Sequence, residues 1–204
     1  MAAKLTLKIT ASNFELIRDR ICEILSLELH NQAIMTPAEP LIDAAIWKER
    51  NIAFDLTEMP AVNVSFSKGN NDQKFSKYDT FTYSYFIDIF TKSKSSSINK
   101  GDELSSTINQ RILGIISRIL SNPQYNTLDF SKPSIANVSI SEMSMADSKN
   151  NEDAVSVSMS RLILDVTTTE SNQLQTSTLL AQSYSKITVN QTNKGYQYIL
   201  LQGD

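Results

Sequence analysis

The segment "KYDTFTYSYFIDIFTK", Lys77–Lys92, most constrains the fold because its side chains alternate as those of a β-strand do. One face carries five apolar side chains, those of Phe81, Tyr83, Tyr85, Ile87 and Ile89. The other face begins with hydroxyl side chains, but Phe86 and Phe90 then flank Asp88. The second half of this strand therefore has large apolar groups on both faces, and something must cover the second face.

Two amphipathic helices are predicted from apolar residues at steps of three or four. The first lies in "SNFELIRDRICEILSLEL", where Ser12 and Glu15 have the spacing of a capping box. The second starts with Asp102 as its cap and is stopped by Asn122 and Pro123. The apolar residues of the two helices are Phe14, Ile17, Ile21, Ile24 and Leu25, and Leu104, Ile108, Ile112, Ile115 and Ile119. Both stripes need a shared sheet face, so the predicted common core is Ile17, Ile21, Phe81, Tyr83, Ile87, Ile112 and Ile115.

The residues before the aromatic strand predict its hairpin partner. "AVNVSF" alternates, and the polar turn "SKGNNDQKFSK" connects it to the aromatic strand. Between His30 and Pro60 periodicity is lost, which indicates a long connection with a short helix around Leu41–Glu49. The cluster "WKER" in this connection fits either a charged anchor around an aromatic or, as we favour, a solvated helix with Trp47 on its packed side.

The third quarter of the chain predicts two strands joined by a polar loop. Ala136, Val138 and Ile140 alternate as a short strand, and "MADSKNNED" follows as the loop. The long strand Ala154–Thr168 changes the parity of its apolar residues midway, which predicts a β-bulge near Ser160 and Arg161 or a register break. The loop Met143–Asp153 is expected to protrude and to contact a partner or the lumen of the assembly, because Met143 and Met145 are adaptable apolar groups.

The C-terminal arm, Thr169–Asp204, is predicted to be separate from the α+β domain formed by residues 1–168. Its first half is polar, and "YSKITVNQTNKGYQYILL" predicts a closing hairpin with Gly195 in the turn. An isolated hairpin is marginal in water, so we expect it to dock on an exposed sheet edge of its own chain or, preferably, of a neighbour. The predicted fold class is α+β: a mixed, mainly antiparallel sheet flanked by two helices, with a C-terminal hairpin extension.

Composition limits the number of domains, the kinds of partner and the cellular compartment that can be expected. At 204 residues, one domain with an appendage is expected. A formal charge of −3 provides no basic surface for gripping nucleic acid. The start "MAAKLTLKITAS" lacks a secretory h-region, and no apolar run reaches membrane-spanning length, so the protein is expected to act without a membrane, inside the cell that makes it.

Motifs for catalysis, cofactors or metals are not found. One cysteine, Cys22, and one histidine, His30, have no motif around them; Cys22 fits a core residue and His30 a position at the end of the first helix. The five scattered glycines form no phosphate loop. The carboxylate pairs Asp102–Glu103 and Glu152–Asp153 fit a helix start and a loop tip better than a hydrolase or calcium site. We therefore expect no enzyme activity, no cofactor and no metal.

The order helix, long connection, hairpin with an aromatic second strand, helix, strand, acidic loop and long strand resembles the bacteriophage tail terminator family and its relatives among neck and tail-completion proteins. The residues that carry the resemblance, from about Ser12 to Thr168, are "NFELIRDRICEIL", "PAVNVSFSKG", "TFTYSYFIDIFTK", "GDELSSTINQRILGIISRIL" and "VSVSMSRLILDV". The connection from His30 to Pro60 and the tail after Thr169 are long for the family. They leave open whether this protein ends a tube, joins a neck or serves a related contractile machine.

The resemblance implies a structural virion protein that forms a ring, usually hexameric, on the finished tail tube and meets the head connector. Its partners would be copies of itself, the tail tube protein and a head-completion protein, and DNA would pass through without specific binding. It would be assembled in the host cytoplasm. Phe86 and Phe90 would be covered by a neighbouring subunit or by the C-terminal hairpin. The expected interface residues are Phe86, Phe90, Met143, Met145, Tyr184, Ile187, Val189, Tyr196, Tyr198 and Leu200. The alternatives are a neck or head-closure ring protein and, in another class, a small ligand-binding module or carboxylate hydrolase.

Overall fold

The architecture is a single mixed sheet with two helices. The computed structural model describes residues 11–38, 42–74, 78–94, 101–130, 135–150, 155–171, 187–192 and 195–200. The elements in chain order are α1 (Asn13–Met35), β1 (Ala45–Lys48), β2 (Ala61–Lys74), β3 (Tyr78–Lys94), α2 (Gly101–Leu120), β4 (Ile135–Asn150), β5 (Val155–Ser171), β6 (Ile187–Thr192) and β7 (Gly195–Leu200). The strand order is β4-β5-β3-β2-β1-β7-β6. Only β1 and β2 pair in parallel among these neighbours. The predicted α+β fold is confirmed.

The aromatic strand β3 lies at the centre of the sheet, between β2 and β5. The side chains of Tyr85, Ile87 and Ile89 are fully buried, and that of Tyr83 nearly so. The predicted alternation is therefore confirmed. The ring of Tyr83 also packs across Gly69, its register partner on β2, so closely that an added Cβ would lie 2.8 Å from the ring.

Both helices cover the same side of the sheet. The helix α1 packs on β1 and β2, and α2 packs on β3 and β5. Their apolar stripes meet the inward side chains of the strands in one core, as alternation and helical periodicity require. The predicted common core is confirmed, with Phe81 partly buried at its border and the other six residues inside it: Ile17, Ile21, Tyr83, Ile87, Ile112 and Ile115.

The helix boundaries differ slightly from those predicted. The Ser12 backbone N–H donates to the Glu15 carboxylate at 2.7 Å, as the capping box requires. The helix α1 continues past Leu29 to Met35 because backbone hydrogen bonding needs no apolar periodicity. The helix α2 begins at Gly101, so Asp102 lies in its first turn and is not its cap.

The segment after α2 ties the two helices together. The Tyr125 hydroxyl donates to Glu28 of α1, and burial together with this bond raises the pKa of Tyr125 to about 12. The Arg20 guanidinium donates to Asp129 at 2.6 Å and to the Leu128 carbonyl at 3.1 Å. These contacts join the segment that follows α2 to α1.

The prediction of a short helix around Leu41–Glu49 is wrong. Residues Ala45–Lys48 form β1, which pairs in parallel with β2 and antiparallel with β7. Both middle residues of this strand, Ile46 and Trp47, are buried. A four-residue strand buried on both faces has no periodicity that distinguishes it from a helix, so only its partners reveal it.

The polar loop and turn predicted from composition are largely strand. The strand β4 continues to Asn150, which includes residues 143–150 of the predicted loop Met143–Asp153, and β2 continues to Lys74. Both extensions are held by backbone ladders to β5 and β3. A ladder of backbone hydrogen bonds does not require apolar side chains. Polar strand segments that face solvent therefore have the same composition as loops and are predicted as loops.

The β-bulge predicted near Ser160 and Arg161 of β5 is also wrong. The strand β5 pairs with β3 without a register shift from Val155 to Ser171. The apparent change of parity arises because one face of β5 is buried throughout yet polar in its first half, with Ser156, Ser158 and Ser160, and apolar in its second, with Leu162, Leu164 and Val166. The irregularities lie on β4 instead, as at Ile140/Glu142.

Replacing Ile112 by Ala should lower the free energy of unfolding by about 2 to 5 kcal/mol because this fully buried side chain leaves a cavity between α2 and the sheet. Chemical denaturation measures the change. The matched control is Leu104→Ala on the same helix, whose side chain is 39% exposed, with an expected change within about 0.5 kcal/mol. Equal losses in the two variants would refute this core.

Candidate functional site

The side of the sheet away from the helices carries the two aromatic residues that need a cover. We call this side the open face and define it by Trp47, Asn63, Phe86, Asp88, Phe90, Met159, Arg161 and Ile163. On β3 and β5 the register pairs Phe86 with Ile163, Asp88 with Arg161 and Phe90 with Met159. Apolar and charged cross-strand pairs thus alternate along the centre of the open face.

Arg161 covers part of Phe86 from within the chain. Its Nε and Nη2 atoms donate to the two carboxylate oxygens of Asp88 at 2.6 and 2.9 Å. Its Cζ atom lies 4.1 Å from the centre of the Phe86 ring. The hydrogen bond to Asp88 raises the pKa of the Arg161 guanidinium. A bidentate ion pair thus spans β3 and β5 above an aromatic ring.

Phe90 is covered by residues 51–60, which we call the strap. Its Phe54 ring lies 4.9 Å from the Phe90 ring and 5.9 Å from the Trp47 ring, measured between centroids. The three aromatic residues come from β3, the strap and β1. Part of the cover of Phe90 therefore comes from the strap of the same chain, which the sequence did not predict, and Phe90 remains partly exposed. Its cover by a neighbouring subunit stays a prediction.

A buried guanidinium holds the strap in place. The side chain of Arg50 has 0% exposure and donates to Glu58 at 2.7 and 3.2 Å. It also donates to the carbonyls of Ile52 and Ala53. Its Cζ atom lies 4.0 Å from the Phe54 ring centre and 4.5 Å from that of Trp47. Of the two interpretations of "WKER", the charged anchor is right and the solvated helix is wrong.

The backbone at the end of β1 turns the strap onto the open face. Glu49 has a φ of 50°, a left-handed conformation that ends the strand. The side-chain amide of Asn63 then accepts from the Arg50 N–H at 3.0 Å and donates to the Arg50 carbonyl at 3.2 Å. Asn63 thereby replaces the backbone partner that Arg50 loses when the chain leaves the sheet.

Two further contacts close the strap. Glu58 accepts from the Asp55 backbone N–H at 2.8 Å, while the Lys92 ammonium donates to the Leu56 carbonyl. The outer side of the strap exposes Ile52 by 56%. The strap is thus anchored at Arg50, at Leu56 and at Glu58, with one apolar side chain facing out.

The edge strand β4 bears the two predicted interface methionines. Residues 141–146 are all exposed, with Met143 at 54% and Met145 at 41%. A groove of about 220 Å³ lies between residues 144–146 of β4 and 159–161 of β5. The outer backbone edge of β4 has no neighbouring strand among the described residues. This combination of adaptable apolar side chains and a free edge suits partner contact.

The C-terminal hairpin lies at the other end of the sheet. The predicted pairing of β6 with β7 is confirmed, with Val189 opposite Tyr198, Ile187 opposite Leu200 and Gln191 opposite Tyr196. The strand β7 pairs with β1 of the same chain, so the hairpin docks on its own sheet edge. Tyr184 and residues 172–186 lie outside the described residues.

Among the described residues, the titratable groups considered for catalysis do not assemble into a site, and Glu152 and Asp153 lie outside the described residues. Cys22 is buried in the core, which raises the pKa of its thiol. His30 lies within α1, not at its end, and its Nδ1 atom is 3.2 Å from Asp43. Across the described ranges, no group of three or more His, Cys, Asp or Glu residues could hold a metal ion. No helix of the described part is long and apolar enough to cross a membrane.

Sequence reasoning missed Glu58, Phe54 and the Asp88–Arg161 pair as parts of one surface. A signal for the ion pair exists, because Asp88 stands between two aromatic residues on an otherwise apolar stretch. A buried carboxylate there needs a cation opposite it. No comparable signal links Arg50 to Glu58, since their partnership depends on the path of the strap.

Replacing Glu58 by Gln should lower the free energy of unfolding by about 3 kcal/mol because the buried Arg50 guanidinium loses its counter-charge. The emission of Trp47, the only tryptophan of the chain, should also shift to the red if the strap loosens. The control is Asp129→Asn, another acid-to-amide change at an arginine partner but 45% exposed, which should cost less than about 1 kcal/mol. Losses of the same size in both would show that burial of Arg50 has no energetic role.

No protein-family model matches the chain, and a search of curated proteins finds no match. The features that bear on function are therefore the two sheet edges, the open face and the strap.

Proposed function

We propose that this chain is a non-enzymatic virion assembly protein, a tail terminator that forms a ring on the tail tube and joins it to the head connector. A neck ring protein is the nearest alternative and would use the same contacts. The observation that best supports the proposal is the position of the two sheet edges that have no neighbouring strand among the described residues. The strands β4 and β6 lie at opposite ends of one seven-stranded sheet.

A free edge strand exposes backbone N–H and C=O groups that can pair with another strand. The strand β4 has 16 residues and exposes Met143 and Met145 beside that edge. Pairing the β4 edge of one copy with the β6 edge of the next extends the sheet across the contact. Because the two surfaces differ, the contact is heterologous, and repeating it closes a ring when the rotation between copies fits a whole turn.

The open face fits an assembly that does not depend on enzymatic chemistry. Its two charged residues, Arg161 and Asp88, are paired within the chain, and so are Arg50 and Glu58, which hold the strap over it. Exposed apolar side chains can then bind a partner by burying apolar surface, without chemistry from charged groups. A formal charge of −3 suits a ring through which DNA passes without adhesion, because phosphates are repelled.

Changing both Met143 and Met145 to Asp should abolish self-association because two carboxylates would be placed at the proposed contact. Size-exclusion chromatography with light scattering compares the masses of the wild-type chain and the variant, alone and with a tail tube protein. Circular dichroism checks that the variant is folded.

The matched control is Ile34→Asp, an equally drastic change at an exposed apolar residue of α1, which should leave assembly unchanged. A wild-type chain that stays monomeric with and without the tube protein would refute the ring. Loss of assembly in the Ile34 variant alone would place the contact on α1 instead of β4.

Truncation after Ser171, the last residue of β5, tests the role of the C-terminal hairpin. The truncated chain should keep the two helices and strands β1 to β5, as measured by circular dichroism, and should lose ring or tube association because the β6 edge is removed. Assembly with undiminished affinity would show that the hairpin only covers β1.

A further inference from the structure

The interface between α2 and the sheet changes character along the helix. Under the C-terminal half, Ile112, Ile116 and Ile119 pack on the apolar core. Under the N-terminal half lie buried polar side chains from three elements, which we call the polar seam: Thr91, Ser105, Asn109, Ser156, Ser158 and Ser160. A buried polar group requires a hydrogen-bond partner, so each member of the seam raises the question of where its partner is.

Several members of the seam bond directly across the interface. The Thr91 hydroxyl donates to the Ser105 carbonyl at 2.8 Å, and the hydroxyls of Ser105 and Ser158 are 2.9 Å apart. The Asn109 Nδ2 atom donates to the carbonyls of Ile89 and Ser158, each at 3.1 Å. Since both of these partners can only accept, they fix which end of the Asn109 amide is the nitrogen.

Two atoms of the seam have no hydrogen-bond partner in the part of the chain that the structure describes. The Asn109 Oδ1 atom and the Ser160 Oγ atom are buried and have no hydrogen-bond partner. Both side chains are almost completely inaccessible, with residue exposures of 0% and 1%. The amide oxygen can only accept, whereas the hydroxyl can donate and accept.

The sheet register places the two unpaired atoms in the same neighbourhood. Ser160 of β5 lies opposite Ile89 of β3, and the Asn109 amide is bonded to the carbonyls of Ile89 and Ser158. The Asn109 side chain therefore lies between the rung that contains Ser160 and the rung that contains Ser158, on the side covered by α2. Asn109 and Ser160 do not bond each other directly, since neither atom has a partner among the described residues. A buried acceptor near a buried hydroxyl, both without protein partners, is the usual setting of an internal water.

We propose that one water molecule occupies this position and bridges Asn109 Oδ1 and Ser160 Oγ. The water donates one hydrogen to the amide oxygen and shares a second hydrogen bond with the hydroxyl. The ligand is neutral and small, because no charged group belongs to the polar seam. The bridge completes the hydrogen bonding of the seam, and a shift of α2 along the sheet would break it together with the direct bonds.

A crystal structure of the full-length chain, at a resolution that places ordered waters, tests the proposal. The expected density is one water within hydrogen-bond distance of both atoms. In Ser160→Val the added methyl groups fill the gap and the water should disappear. In the control Ser158→Ala, which removes only a hydroxyl bonded directly to Ser105, the water should stay. Wild-type density without a water, or a direct bond between Asn109 and Ser160, would overturn the proposal.

Solution measurements provide an independent test. Magnetic relaxation dispersion counts internal waters with long residence times, and the wild-type chain should show one more than Ser160→Val. If the valine variant does not fold, the milder Ser160→Ala takes its place in the comparison. In that variant the bridging water should be absent or should have a shorter residence time. Equal counts and equal residence times in all folded variants would refute the bridge.

Discussion

The cover of the open face depends on the contacts of the Arg50 guanidinium. This side chain has no exposed surface, and it is bonded to Glu58 and to two carbonyls of the strap while lying between the rings of Trp47 and Phe54. A buried ion pair adds little net stability, since desolvation offsets much of the attraction. Its effect is specificity, because any other path of the strap would leave a buried charge unpaired.

The central strand β3 can be apolar on both faces because of that strap. On one side its residues Tyr85, Ile87 and Ile89 pack under the helices. On the other side Phe90 is covered by Phe54, and Phe86 by Arg161. A sheet with only one helical layer would otherwise expose these rings to water. In the described part of the chain, the second face is thus covered by a connection and an ion pair and not by a second layer of helices.

The two ends of the sheet differ from its centre because their outer backbone groups have no neighbour among the described residues. The strands β3 and β5 pair with a neighbouring strand on each side, whereas β4 presents exposed methionines along an edge that has no neighbour among the described residues. Satisfied interiors rarely change on association, while free edges gain the most from it. Because of this contrast, we assign the proposed assembly contacts to β4 and β6 and not to the aromatic residues of the open face.

The sequence by itself determined the elements whose periodicity is strong: α1, α2, the core face of β3 and the pairing of β6 with β7. Periodicity reports which side chains meet the core, so it succeeds wherever one face is buried. It failed for β1, buried on both faces, for the solvent-exposed part of β4, and for the serine-rich half of β5, whose buried face is polar. Only the tertiary structure decided these elements, because their stability comes from backbone ladders and from partners distant in sequence, such as Asn109 for Ser158 and Glu58 for Arg50. The same holds for the cover of Phe90, since the path of a connection is set by long-range contacts that no local pattern encodes.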